Sequence, residues 1–480
     1  MLKDNNIENI FFLGIGGIGM SALARYYKAC GKRISGYDRT PSALTKELEQ
    51  EGIRISYTDS PEIAQCVGLT ARNTLVVRTP AVPEDSELYV WLRDNGFEIR
   101  KRSEVLGDVT RSMHALCVAG THGKTTTSTM LAHILHDHVA AFLGGISMNY
   151  GTNYWKSPDA RYAVVEADEY DRSFHRLTPY ISVITAVDPD HLDIYGTPEA
   201  YREAFEHYTS LITGALVIKH GLPVTPRLRS GVKKYTYGVK VNGECTEGEC
   251  PDFYADNIRV ANGTITFDFH TPEDVIKDIC PGVPVWVNIE NAVAAMAVAW
   301  LVNKGENEGM EKEDVHYSLF INHLREAMAS FRGVQRRFNI HVNTPKVVYI
   351  DDYAHHPDEI ATSIDSVRRL YPDRKFIGVF QPHLYSRTRD FADGFAHVLA
   401  TLDECILLPV YPARELPVPG VNSEMLLAKT GKGQLVEKAE LAKVLSGKVQ
   451  DSNVPVVVMT IGAGDIDRLV TAITEVLKGE

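Results

Sequence analysis

Short apolar runs recur along this chain, and most stop abruptly at glycines or at acidic clusters. Asn9–Leu13 leads into the turn Gly14-Ile15-Gly16-Gly17-Ile18-Gly19, a helical period follows from about Met20 to Cys30, and a second strand, Arg33–Gly36, ends at Asp38. Strand, glycine turn, helix, strand and an acid about 20 positions on form a dinucleotide-type opening, which holds a nucleotide diphosphate at its turn. Without a ligand the same pattern is only a tight connection, and it does not say whether the nucleotide is NAD or another. Strand Leu75–Arg78, helix Ser86–Asn95 and strand Phe97–Arg100 continue the alternation. Residues 1–107 are therefore expected to form a parallel sheet covered on both faces.

The alternation restarts near Asp108. His114–Val118 reads as a buried strand, and Met130, Leu131, Ile134 and Leu135 give a helical period beyond it. Between them lies Gly120-Thr121-His122-Gly123-Lys124-Thr125-Thr126. Backbone N–H groups and a helix N-terminus suit phosphates there, Lys124 suits the β- and γ-phosphates, and the Thr125 hydroxyl suits magnesium. The longer form of this motif needs glycine at position 118, where this chain has Val118. Ala141–Ile146 reads as a strand and Ser147–Lys156 as a polar loop. Strand Tyr162–Glu166 ends in EADEYDRSF, Glu166–Phe174, and strand Ile181–Ala186 ends in DPDHLD, Asp188–Asp193. Ligands of an open parallel sheet lie beyond the carboxyl ends of its strands. Glu169 and His191 are thus candidate magnesium ligands, while Glu166 and Asp168 stay divided between metal binding and capping.

Residues 232–287 change character. Short alternating runs, Ile258–Val260 and Thr264–Phe269, predict antiparallel strands inserted as a flap. Asn288 and Asn291 then open a helix through Ala292–Val302, where they either cap it or grip an adenine or ribose edge. A boundary falls near Phe331–Phe338, and a third α/β unit follows. Its strands Val347–Ile350, Phe376–Phe380, Cys405–Pro409 and Val456–Thr460 each end in polar residues.

The bulk properties narrow the class. With 480 residues the chain holds several domains, and 44% hydrophobic with 23% charged residues is the balance of a soluble globular protein. A net charge of −12 argues against a nucleic-acid binder. No apolar run reaches the roughly 20 residues that span a bilayer, and the N-terminus lacks a signal-peptide pattern, so a cytoplasmic protein is expected. Seven scattered cysteines fit a reducing compartment. Cys245 and Cys250 lack two further nearby ligands for zinc.

Taken in order, GIGGIG, GTHGKTT, EADEYD, DPDHLD, NIEN, RRF, DDYAHHP, FQPHLYSRTRD, VYPARE and IGAGDID resemble the Mur ligases, the ATP-dependent amide-forming enzymes of peptidoglycan synthesis. The resemblance covers essentially the whole chain. FQPH, SRTRDF and VYPARE point to the branch that adds L-alanine to UDP-N-acetylmuramate. The branch that recycles murein tripeptide onto the same sugar nucleotide is the alternative. A nucleotide-driven switch protein is the alternative from another class, as is a nicotinamide oxidoreductase, against which the second phosphate loop argues.

The resemblance implies three α/β domains. These are a Rossmann-like UDP-sugar domain over 1–107, a central P-loop ATPase-type parallel sheet with a small antiparallel insertion over 108–332, and a Rossmann-like amino-acid domain over 333–480. It implies that Gly14, Gly16, Gly17, Ile18, Gly19 and Asp38 hold the uridine diphosphate part of the substrate. ATP and Mg2+ would fall to Gly120, Thr121, His122, Gly123, Lys124, Thr125 and Thr126, with Glu169 and His191 toward the metal and Asn288 and Asn291 toward adenine. Arg337 and Asp351 would also serve ATP, and Tyr353, His355, His383 and Arg387 would line the alanine and muramoyl side. Catalytic roles fall to Lys124, His191, Arg337 and His355, with the amine's base open between His191 and His355. Two departures stand out. No lysine lies between Lys156 and Lys219 to serve as a carbamylated metal bridge, and Leu384 replaces an arginine some relatives carry.

Overall fold

The computed structural model describes residues 7–189, 192–241, 244–245, 250–261, 263–306, 315–413 and 415–479. The chain forms three sheets in two compact units, one comprising Met1–Asn257, Asp268–Asp278 and Glu290–Phe331, the other Ile258–Phe267, Ile279–Ile289 and Arg332–Glu480.

The first sheet runs Arg54–Ser56, Arg33–Tyr37, Asn9–Leu13, Thr74–Arg78, Glu98–Lys101, all parallel. Asn9–Leu13 is central and buried at every position, as its unbroken apolar run requires. Strand order reverses beside it, so the glycine turn opens at the sheet's switch point.

In the second sheet the strand His114–Ala119 lies between Tyr162–Ala167 and Pro179–Ile184, parallel to both. The two strands flanking the phosphate loop are therefore those that end in acidic clusters. Two expectations fail here. The supposed polar loop Ser147–Lys156 contains a strand, Thr152–Lys156, paired antiparallel with Val139–Ser147. Its alternate residues Asn153 and Tyr154 are buried, which composition alone did not disclose. The supposed antiparallel flap also begins differently. Lys233–Val241 joins Ala215–Lys219 in parallel, and Phe253–Ala255 pairs parallel with Tyr237–Val239, so the central sheet continues through them. Alternation of period two is identical in both kinds of pairing and cannot separate them. Cys250 is disulfide-bonded, which the reducing compartment fitted to the scattered cysteines did not lead one to expect.

The third sheet runs Asn339–Asn343, Val347–Asp352, Val456–Ile461, Lys375–Phe380, Glu404–Leu407, Gln434–Leu435. Its first strand is antiparallel and the others parallel. Among the described residues no helix is long and apolar enough to cross a membrane.

Candidate active site

Both glycine turns of the first unit are held by side chains distant in sequence, Asp38 at the first and Thr185 at the second. At the N-terminal turn Gly14 has φ +84°, and the Gly16 N–H donates to Asp38 Oδ2 at 2.8 Å. Asp38, expected to face the sugar nucleotide, thus also fixes the turn. A Cβ on Gly16 would lie 2.9 Å from that oxygen, so the approach needs glycine. Ile18 and Gly19 begin the helix Ile18–Ala29.

At the second turn Gly120 (φ +132°) passes against Thr185 and Ala186, and Gly123 (φ +81°) caps the helix Lys124–Ile134. Thr121 donates from its backbone to Ala186 O at 3.1 Å and from its hydroxyl to Asp188 O at 2.9 Å. The Thr185 hydroxyl donates to His122 O at 2.5 Å. Thr125 and Thr126 occupy the first helical turn, whose N–H groups have no partner within the helix. Lys124 folds back on its loop and donates to the carbonyls of Gly120 and Thr121 and, at 2.9 Å, to Glu169 Oε1.

Glu169 is 2% exposed, and among the described residues its second oxygen has no partner. Burial raises its carboxyl above the ordinary range, with Lys124 opposing. Glu166, left undecided by its sequence context, proves central. It accepts from Thr125 Oγ1 at 3.2 Å, Ser128 Oγ at 3.3 Å and Gly144 N at 2.8 Å. Burial raises it as well, and Gly144, Lys124 and Thr125 pull the other way. Asp168 instead pairs with Arg102 at 3.0 Å, a contact no local pattern announced. Among the described residues no three His, Cys, Asp or Glu side chains form a ready metal cage. The oxygen set does suit a magnesium ion that takes one or two carboxylates and completes its shell with phosphates and water. His191 lies outside the described residues.

Asn291 Oδ1 accepts from Thr127 Oγ1 at 3.1 Å, so this asparagine is tied to the phosphate-loop helix. Asn288 is buried and donates to Val283 O at 3.2 Å within the second unit, a cap-like contact at the helix start.

In that second unit, strand pleating separates two neighbouring acids. Asp351 accepts from Thr460 Oγ1 at 3.0 Å and lies 4.0 Å from Arg336 Nε. Both border a cavity of about 530 Å³ together with Asn339, His341, Asp467 and Lys478. Asp352 accepts from Phe338 N and Ser363 Oγ, and Arg337 is the cation that acts on it. Asp351 therefore has Arg336 as its cation and Asp352 has Arg337, because successive strand residues point to opposite faces.

Burial raises Asp351 to about 6 from 3.8, against the pull of Arg336. The folded carboxyl thus keeps a proton that the unfolded chain releases. Its stabilising contribution is full below about pH 4 and is lost as pH rises through about 6, a change of about 3 kcal/mol. Between pH 4 and pH 7, wild type is expected to lose more stability than Asp351→Asn by up to that amount. Urea melts at both pH values measure this, and equal losses would remove Asp351 from the account.

The candidate alanine-side residues cluster after the strands Val347–Asp352 and Lys375–Phe380. Tyr353 carries Arg337 over its ring at 5.1 Å, and the His355 and His383 rings lie 6.5 Å apart. His355 Nδ1 faces Tyr353 O at 3.1 Å and Glu359 Oε2 at 3.3 Å. Two acceptors there place the proton on Nδ1 and leave a lone pair on Nε2. Burial lowers His355, with Arg387 adding to it and Glu359 opposing. His383 is lowered to about 4 by burial, then by Arg387 and His355, and among the described residues its buried Nδ1 has no partner. Both rings are neutral at pH 7. Leu384, where the arginine is missing, has φ +68° and precedes the short helix Tyr385–Asp390 that carries Arg387.

Comparison with known proteins matches this arrangement along the chain. The Mur ligase family catalytic domain matches residues 9–114, the Mur ligase middle domain 118–299, and the Mur ligase glutamate ligase domain 336–464. The UDP-N-acetylmuramate–L-alanine ligase of Parabacteroides distasonis is 53% identical, covering 98% of both chains. This chain belongs to the Mur ligase family. Among solved Mur ligases, the UDP-N-acetylmuramate–alanine ligase of Thermotoga maritima superimposes with a TM-score of 0.77 at 27% identity, covering 98% of this chain and 99% of its own. A murein peptide ligase from Psychrobacter arcticus shares the fold at a TM-score of 0.66 and 22% identity, covering 97% and 99%. The three-domain α/β architecture of Mur ligases is thus the fold of this chain.

Proposed function

We infer that this chain joins L-alanine to the lactyl carboxylate of UDP-N-acetylmuramate, consuming ATP, in peptidoglycan synthesis. The observation carrying this reading is full-length identity of 53% to an enzyme of that name, joined to a phosphate loop whose lysine sits on a buried glutamate. Amide formation needs an activated acyl group. The carboxylate attacks the γ-phosphate, ADP leaves, the alanine amine opens the acyl phosphate, and inorganic phosphate departs.

Each residue set answers one requirement. Gly14, Gly16, Gly17, Ile18 and Gly19, with Asp38 bracing them, cradle the uridine diphosphate. Gly120–Thr126 cradle the ATP phosphates, and Lys124 offsets the repulsion between carboxylate and phosphate. Thr125, Glu166, Glu169 and His191 would hold magnesium. When bound, the ion supplies positive charge to the phosphate oxygens. Asn288 and Asn291 serve the adenine side. Arg337 serves the phosphates with Asp352 on its face of the strand, while Asp351 acts through Arg336. Tyr353, His383 and Arg387 receive alanine and the muramoyl group. His355, with its lone pair on Nε2 and Glu359 behind Nδ1, takes the amine proton.

Phosphate release tests the whole reading. With ATP, magnesium and UDP-N-acetylmuramate present, release is expected to require L-alanine. Release that ignores the amino acid would convert the reading to a nucleotide-driven switch. Murein tripeptide outperforming L-alanine would make the chain a recycling ligase.

A further inference from the structure

The two glycine turns of the first unit are bridged by the hairpin of Val139–Ser147 and Thr152–Lys156, and the residue that ties this hairpin to the N-terminal turn is Asn153. Three residues on one face of the helix Ile18–Ala29 converge on this side chain. Asn153 Nδ2 donates to Ile18 O at 2.6 Å and to Ser21 Oγ at 3.0 Å, and Asn153 Oδ1 accepts from Arg25 Nη1. Asn153 is 0% exposed, and Arg25 is anchored in turn by Glu51 at 2.6 Å. Ile18 is part of the N-terminal glycine turn itself, so the contact reaches the turn's backbone directly.

The opposite side of the hairpin reaches the other turn. Phe142 pairs with Tyr154 and Ser147 with Thr152, so residues 143–146 bulge opposite Asn153 alone. Bulges of this kind re-aim a strand beside a site. Gly144, inside the bulge, donates to Glu166, which holds Thr125 and Ser128 of the phosphate-loop helix. A Cβ on Gly144 would lie 2.4 Å from Glu166 Oε2, so the bulge is pressed against that carboxylate.

We propose that Asn153 is a positioning residue that sets the distance and angle between the sugar-nucleotide turn and the ATP loop. This rests on the reading of the two turns given above. Attack of a carboxylate on a γ-phosphate depends on how the two bound substrates face each other, and small displacements of reacting atoms cost rate steeply. An asparagine that served only to fill the interface would change thermal stability and leave turnover per folded molecule untouched.

The test measures turnover and binding separately on the full chain, with thermal melts to give the folded fraction. In Asn153→Ala, kcat for product formation is expected to fall about tenfold. Dissociation constants for UDP-N-acetylmuramate and for ATP, each titrated alone by calorimetry, are expected to stay within about threefold. Asn153→Asp, which keeps the acceptor for Arg25 but cannot donate to Ile18, is expected to behave like the alanine variant. Unchanged kcat would overturn the proposal, as would a kcat loss matched by lost sugar-nucleotide binding. Should Asn153→Ala not fold, Ser21→Ala removes one of the same bonds and is judged by the same split. Wild type measured alongside separates the two ideas. A wild type making no product from UDP-N-acetylmuramate and L-alanine would refute the ligase reading instead.

Discussion

Lys124→Ala is expected to reduce turnover by about 10³-fold while leaving UDP-N-acetylmuramate binding within about twofold of wild type. The lysine donates to the Gly120 and Thr121 carbonyls and to Glu169, so its ammonium is already positioned on the phosphate loop. Its removal takes away the protein's own positive charge where two anions must meet. It also strips Glu169 of its cation, and burial has already raised that carboxyl. A neutral, protonated Glu169 would be a poor metal ligand, so the variant should also need more magnesium than wild type. The sugar nucleotide is expected at the N-terminal turn, where Asp38 and not Lys124 braces the backbone. Single-turnover product formation and a calorimetric titration with the sugar nucleotide check both halves. Equal losses in the two measurements would contradict separate nucleotide turns.

The parts of this site legible in the sequence are those where backbone conformation dictates residue type. Gly14, Gly120 and Gly123 all adopt positive φ, and such positions draw glycine whatever surrounds them. The strands before them are apolar because they are buried on both faces, which is why the alternation of elements could be read directly. What stayed hidden depends on partners distant in sequence. Glu166 and Glu169 look alike within EADEYD, yet one holds Thr125, Ser128 and Gly144 and the other Lys124. Asp351 and Asp352 are adjacent, and only the facing of the strand assigns the first to Arg336 and the second to Arg337. Asn153 sits in a stretch as polar as any loop, and its burial comes from a helix more than a hundred residues earlier. The parallel pairing of Lys233–Val241 escaped for a similar reason, since its pattern is the same in either direction.

Glycine content also ranks the two ends of the phosphate loop, and the ranking can be measured. Gly120→Ala is expected to be the most damaging conservative change in the loop. At φ +132° the backbone is one that side chains scarcely adopt, and the added Cβ would fall 2.2 Å from Thr185 Oγ1 and 2.8 Å from the Ala186 backbone nitrogen. Thr185 cannot simply swing aside, because its hydroxyl also donates to Ala119 O at 3.2 Å and to His122 O. Ala186 is main chain and can move only by shifting the strand end that receives Thr121. Strain and overlap together should cost about 4 kcal/mol, with turnover lost as the loop is displaced. Gly123→Ala meets an easier obstacle. Its φ of +81° is left-handed, and its Cβ would lie 2.7 Å from the end of the Asn291 side chain. That end is a side-chain oxygen, Oδ1, and can shift without moving main chain, at the cost of its bond from Thr127 Oγ1, added to the left-handed penalty of about 1–2 kcal/mol. Thermal or urea unfolding of the two variants should therefore separate them clearly, with Gly120→Ala the less stable. The reverse order would mean that the loop is held by its asparagine and not by the strand end at Thr185 and Ala186.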